Sequence, residues 1–197
     1  NKDYDNLYTM DILCHGVPSQ QMFSKYLEYI AGKNATDKNK LPKPVSINFR
    51  DKEHFGWTSA AIRIEFDNGR VYEGTLKDKD PYEFVFLRNV GLRKSCENCP
   101  FSAFPRPGDL SVGDFWGISR FDKTMTDQKG TSLVYVNSEQ GKKLFAEMQK
   151  KCIKVKEMHI NSDEIRNRIR AACPSNKNRG RFLKMVQNNS FEESIKN

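Results

Sequence analysis

The sequence predicts an α+β fold (mixed α/β), a mixed sheet with flanking helices and a basic helical C-terminal tail. Three stretches carry that prediction. From Ala60 to Phe66 the residues alternate, with Ile62, Ile64 and Phe66 on one face, and Asn68-Gly69 follows as a hairpin turn. Met22, Phe23, Tyr26, Leu27 and Ile30 recur at helical spacing, and Leu144, Phe145 and Met148 do so again after Ser138. Interleaved strands and helices argue for a sheet covered by helices rather than an all-α or all-β class.

In chain order, Leu7 to Leu13 reads as a strand close to the first residue, with no starting methionine, and a longer parent chain is expected. Cys14 to Pro18 makes a turn. Ser19 is placed to cap a helix running to about Ala31, with Gly32 ending it. Asn34 to Pro44 is a polar, Lys-rich connector, and Val45 to Phe49 a strand. After the hairpin returns through Val71-Tyr72, Asp80-Pro81 opens a short aromatic helix over Tyr82 to Val90. Ser132 to Val136 is a β-branched strand, and Ser138 caps a helix through about Lys151. Ile153 to Met158 is expected to form another strand, Ser162 or Asp163 to open a basic helix ending near Pro174, and Arg181 to Val186 to form a last helix. Two domains follow from this reading: residues 1–158, and a basic helical extension over 159–197.

The composition is that of a globular protein with a wet surface: 37% hydrophobic and 29% charged, which excludes both disorder and a membrane-embedded chain. No apolar run approaches a membrane span and no signal peptide opens the sequence. Five cysteines, an odd number at uneven spacing, argue against a disulfide scaffold and for reduced thiols in a cytoplasmic protein. The net charge is +8, and residues 150–197 hold 12 basic against 5 acidic side chains. That excess fits a solvated helical face, or a surface for an anionic partner.

The stretch from Arg93 to Gly117 carries the chemistry. Cys96 and Cys99 form a Cys-x-x-Cys pair, whose turn can bring both sulfurs to one side for a soft metal. Cys14, at a strand end before a Gly-Pro turn, is the most site-like remaining thiol. The residues alone leave three readings open: a metal site, a redox dithiol, or cysteines without a special role. Asp109, Gly113, Asp114, Trp116 and Gly117 lie on a strand running into a tight loop suited to a phosphate or a flavin edge, with Trp116 stacking. Lys129, Gly130, Thr131 and Ser132 offer a cation, hydroxyls and amides, the group types that bind phosphate. His54 and His159 sit in polar surroundings typical of surface residues, and His15 reads as a residue of the turn.

Five motifs in order, DILCHGVPS at Asp11 to Ser19, NFRDK at Asn48 to Lys52, CENCPF at Cys96 to Phe101, GDLSVGDFWG at Gly108 to Gly117 and KGTSLVYVN at Lys129 to Asn137, form a recognisable pattern. Together they resemble the C-terminal domain of the coenzyme F420 hydrogenase/dehydrogenase beta subunit family, closest to a branch found in gut anaerobes. The resemblance covers about Asn1 to Met158. It implies an iron–sulfur flavoprotein oxidoreductase passing electrons between a [4Fe–4S] cluster, FAD or FMN, and F420 or another acceptor. It also implies Cys14, Cys96 and Cys99 as cluster ligands, with a fourth upstream of this sequence. The expected partner is a redox protein or a ferredoxin-like segment of the parent chain, and nucleic acid is not expected. The competing expectation is a redox-inactive binding module whose basic tail recruits an anionic partner or nucleic acid.

Overall fold

A computed structural model describes residue 4 and residues 6–37, 39–159 and 172–196. In chain order its elements are β1 (Met10–Ile12), α1 (Gln20–Lys33), β2 (Pro44–Asn48), α2 (Lys52–Phe55), β3 (Ile62–Phe66), β4 (Val71–Gly74) and α3 (Pro81–Leu87). They continue with β5 (Leu110–Asp114), β6 (Ser132–Val136), α4 (Glu139–Gln149), α5 (Arg179–Asn188) and α6 (Phe191–Lys196). The mixed α/β class is as the sequence predicts. No helix among the described residues is long and apolar enough to cross a membrane. The chain divides into two units, one of Asn1–His15 with Asn98–Cys173 and one of Gly16–Glu97 with Pro174–Asn197.

The first unit is built on a mixed sheet in the order β1-β5-β6. Strand β1 runs parallel to β5, pairing Met10 with Leu110 and Ile12 with Val112, while β6 runs antiparallel, pairing Val136 with Leu110 and Ser132 with Asp114. The strand expected over Leu7 to Leu13 is shortened at its start, because the Thr9 amide donates to the Asp109 carboxylate at 2.8 Å instead of joining the ladder. At the other end the Leu13 amide still reaches Val112 O at 2.7 Å. Ser138 caps α4 as expected, its hydroxyl accepting the Gly141 amide at 2.9 Å. Phe115, Ile118 and Leu133 form the core beneath, with Leu13, Phe121, Met125, Tyr135 and Met158 packed around them.

Ile153 to Met158 is not a strand. Its alternation does not bury an apolar face: Ile153 is fully exposed, and Lys154 and Lys156 on the other set tether the segment. Lys154 Nζ donates to Thr124 O at 3.0 Å, and Lys156 Nζ to Asp122 at 2.5 Å. The basic helix expected from Ser162 or Asp163 lies almost wholly outside the described residues.

The second unit carries the antiparallel sheet β2-β3-β4. The Asn68-Gly69 turn joins β3 to β4, with Gly69 at φ +78°, a conformation glycine adopts without steric cost. Ile62, Ile64 and Phe66 all point into the core, against Met22, Tyr26 and Ile30 of α1. Helix α1 runs two residues past the expected end. Gly32 is carried inside its last turn, and Asn34 closes the helix by bonding Ile30 O through both its backbone and side-chain nitrogens. The C-terminal helices complete this core: Phe182 and Val186 of α5 and Phe191 of α6 are buried in it. Helix α6 leaves no clear mark in the sequence, its two glutamates and single pair of apolar residues giving too short a period to read.

Candidate redox site

Cys96 lies in the second unit, at the end of a single 3₁₀ turn over Lys94–Cys96. Two short segments are pinned beside each other to place it. The Ser19 amide donates to Gly91 O at 2.7 Å, the Arg93 amide donates to Val17 O at 2.8 Å, and Pro18 bridges Leu92. This leaves the Val17 amide directed at Cys96 Sγ, at 3.2 Å. Gly16 makes the approach possible. At φ +152° it sits where a Cβ would fall 2.7 Å from Leu92 Cδ1, so a side chain there would have to displace the buried Leu92 side chain.

Cys14 and Cys99 belong to the first unit, so the Cys-x-x-Cys pair straddles the boundary after Glu97. Cys14 is exposed and follows directly on Leu13, the last residue tied into the sheet. Cys99 is half-buried, and its carbonyl accepts the Ser102 hydroxyl at 2.8 Å and the Ser102 amide at 3.4 Å, which closes a turn around it. Among the described residues no cysteine is joined in a disulfide. The donor chemistry therefore fits a soft metal, with one sulfur already receiving an N–H bond. Three thiols do not complete a four-ligand centre, and among the described residues no three His, Cys, Asp or Glu side chains form a group that could hold a metal ion alone.

The residues expected to line an organic cofactor fall at two ends of β5. Asp114 pairs with Ser132, so the turn through Trp116 and Gly117 and the segment Lys129 to Ser132 meet at one end of the β5–β6 pair. There the Phe115 amide donates to Thr131 O at 2.8 Å, and the Thr131 hydroxyl donates to Met125 O. The amides of Lys129 and Gly130 are taken by Asp127 Oδ1 at 2.9 and 2.8 Å, so this loop presents the exposed Lys129 side chain rather than a cradle of amides. Gly113 lies within the strand, where a Cβ would fall 2.8 Å from Leu13 Cβ: its lack of a side chain seats Leu13.

Asp109 stands at the opposite end of β5. Its carboxylate accepts the Ser138 hydroxyl at 2.5 Å and the Thr9 hydroxyl and amide at 2.7 and 2.8 Å. These donors hold its carboxyl below the usual range. Beside it lies a network that sequence reasoning missed. Arg106, only 8% exposed, pairs with Asp11 of β1; Ser111, wholly buried, donates to Asp11 Oδ2 at 2.8 Å; and Asn137 Nδ2 donates to Ser111 Oγ and to Gly108 O, both at 2.9 Å. The sequence signal was a lone arginine in a Phe- and Pro-rich run, with no partner visible nearer than Asp109.

In the second unit, the buried Asp51 caps α2 and accepts His54 Nδ1 at 2.9 Å, with Arg63 Nε at 4.0 Å. Burial alone would raise the Asp51 carboxyl, but its bonds from His54 outweigh that and hold it low. The same contact raises the imidazole of His54, which is exposed, as the sequence suggested.

A family model described as the C terminus of the coenzyme F420 hydrogenase/dehydrogenase beta subunit matches residues 1–161. No curated protein and no solved structure gives a significant match.

Proposed function

The chain belongs to the family formed by the C-terminal part of coenzyme F420 hydrogenase/dehydrogenase beta subunits, and we propose that it performs the redox work of such a subunit as part of an iron–sulfur flavoprotein oxidoreductase. Electrons pass between a [4Fe–4S] cluster, FAD or FMN, and F420 or another acceptor, with a partner protein or a ferredoxin-like segment of the parent chain at the far end. Cys14, Cys96 and Cys99 supply three cluster ligands, and the fourth comes from a part of the beta subunit outside the matched region. Such a cluster supplies one-electron steps, which a flavin can collect into pairs.

The observation that carries this reading is the Val17 amide at 3.2 Å from Cys96 Sγ. An N–H aimed at the sulfur of a cluster ligand raises the cluster's reduction potential. A redox dithiol of the thioredoxin kind would instead sit where a strand enters a helix within a βαβ unit, and Cys96 ends an isolated 3₁₀ turn. For the organic cofactor, the Trp116–Gly117 turn and the Lys129 to Ser132 segment offer an aromatic face and a cation at one end of the sheet.

The test is anaerobic reconstitution of the intact beta subunit with iron, sulfide and FAD. About four irons and one flavin per chain, with a broad visible absorbance lost on Cys96→Ser, is the expected result. Full absorbance in the Cys96→Ser protein would remove that residue from the ligand set.

A further inference from the structure

A long-range polar tie in the first unit joins two cysteine-bearing segments that are far apart in sequence. Arg106 lies seven residues after Cys99, and Asp11 three residues before Cys14. Arg106 Nε donates to Asp11 Oδ1 at 3.0 Å and to Ser111 Oγ at 3.3 Å; its Nη2 donates to the same Asp11 oxygen and to Ile12 O at 3.2 Å. Asp11 Oδ2 accepts the Gly108 amide at 3.0 Å and the Ser111 hydroxyl at 2.8 Å. Among the described residues, every hydrogen bond of this guanidinium is thus to the strand leading to Cys14 or to its neighbour β5. An arginine so enclosed is a costly element to keep for stability alone, since well-packed apolar groups often serve as well. What a planar, multiply bonded guanidinium adds is a fixed geometry.

The two ends of the tie are short and stiff. On the Asp11 side, Ile12 is in the ladder, the Leu13 amide bonds Val112 O, and the Leu13 side chain is seated over Gly113, so Cys14 is one residue from a fixed point. On the Arg106 side, Cys99 is closed in a turn with Ser102, and Phe104 packs edge-on against Tyr135 of β6 with ring centroids 5.7 Å apart. The loop from Cys99 to Gly108 is therefore held at three places.

We propose that Arg106 is a positioning residue: its buried pair with Asp11 fixes the loop bearing Cys99 against the strand that ends at Cys14, and so sets the separation of these two thiols for a soft-metal centre. The metal role rests on the redox reading above; the fixed separation does not.

The experiment compares the wild-type chain with Arg106→Met and Arg106→Lys, all carrying Cys96→Ser, Cys152→Ser and Cys173→Ser so that only Cys14 and Cys99 react. Each protein is treated with a graded series of bis-methanethiosulfonate cross-linkers, and the bridged peptides are identified by mass spectrometry. The protein with Arg106 should bridge at one preferred linker length. Arg106→Met, checked by circular dichroism to be folded, should bridge across the series with no preference, and Arg106→Lys should recover part of the selectivity. The same length preference in folded Arg106→Met overturns the proposal, as does the lack of any preferred length with Arg106 in place. Should Arg106→Met not fold, Asp11→Asn, which keeps the shape and weakens the pair, is read in its stead. In the intact beta subunit with all its cysteines, Arg106→Met should take up at least about threefold less iron, or give a broadened electron paramagnetic resonance signal. A protein that shows the preferred linker length but takes up no iron and sulfide leaves the positioning role standing and overturns the cluster reading alone.

Discussion

The phenol of Tyr72 donates to Asp80 Oδ2 at 2.7 Å, across the turn that joins β4 to α3. Tyr26 donates to the same oxygen at 3.0 Å, while Asp80 Oδ1 accepts the amides of Tyr82 and Glu83 at 2.9 and 3.1 Å. One buried carboxylate thus caps α3 and ties it to α1 and to the hairpin. Burial, with the negative charge of Asp80 beside them, raises both phenols far above the ordinary tyrosine range, so both keep the proton they donate to Asp80.

Asp80→Ala leaves two phenols and two amides without an acceptor and is expected to cost about 3 kcal/mol or more, against about 1 kcal/mol for Tyr72→Phe. Urea unfolding measures both. Equal losses in the two variants would show that the carboxylate is not the hub.

Glu83, 6% exposed in the first turn of α3, follows a different logic. Burial first, and then the charge of Asp80, push its carboxyl up to about 7, with Arg50 pulling the other way. A folded pKa above the unfolded one means the folded state holds the proton more tightly, so stability is full below the unfolded pKa of about 4.5 and falls as pH rises through about 7. The loss is about 2 kcal/mol once partial access to water is allowed for. Glu83→Gln should match the wild type near pH 4.5 and exceed it at about pH 8 in thermal unfolding. A constant difference across that range would contradict the assignment.

Two helical glycines should respond to alanine with opposite signs. At Gly141 an added Cβ would overlap the Asp109 carbonyl, a backbone group that cannot move aside, so Gly141→Ala should cost about 2 kcal/mol or more. At Gly180 in α5 nothing lies within 4 Å of the added carbon, and Gly180→Ala should gain about 0.5–1 kcal/mol. Chemical denaturation of the pair checks both, and a stabilised Gly141→Ala would show that α4 can shift off β5.

What was legible in the sequence was local. The Asn68-Gly69 hairpin, the alternation of Ile62, Ile64 and Phe66, and the Ser138 cap each depend on a few neighbouring residues, and each is found at its expected place. Ile153 to Met158 shows the limit. Its pattern is that of a strand, but Lys154 and Lys156 are committed to Thr124 and Asp122, some thirty residues away. Gly32 misleads in the same way, because Asn34 supplies the stop through its own amide bonds. At the candidate site the cysteines were visible and their supports were not: Arg106 meets Asp11 across 95 positions, and Val17 meets Cys96 across 79. The charge count of residues 150–197 likewise revealed nothing of Phe182, Val186 and Phe191, which are buried against α1.

That last packing bears on how the chain is made. A ribosome delivers Gly16–Glu97, then the whole of the first unit's second segment, and only after both α5 and α6. Until Phe191 emerges, Tyr26 lacks the ring that meets it at 5.7 Å, and Arg179 has not yet bonded Leu92 O. The earlier-made segment must therefore wait, partly uncovered, until Pro174–Asn197 has been made. A recombinant chain stopped at residue 161, where the family match ends, would keep every motif and all three candidate cysteines yet stay permanently in that waiting state.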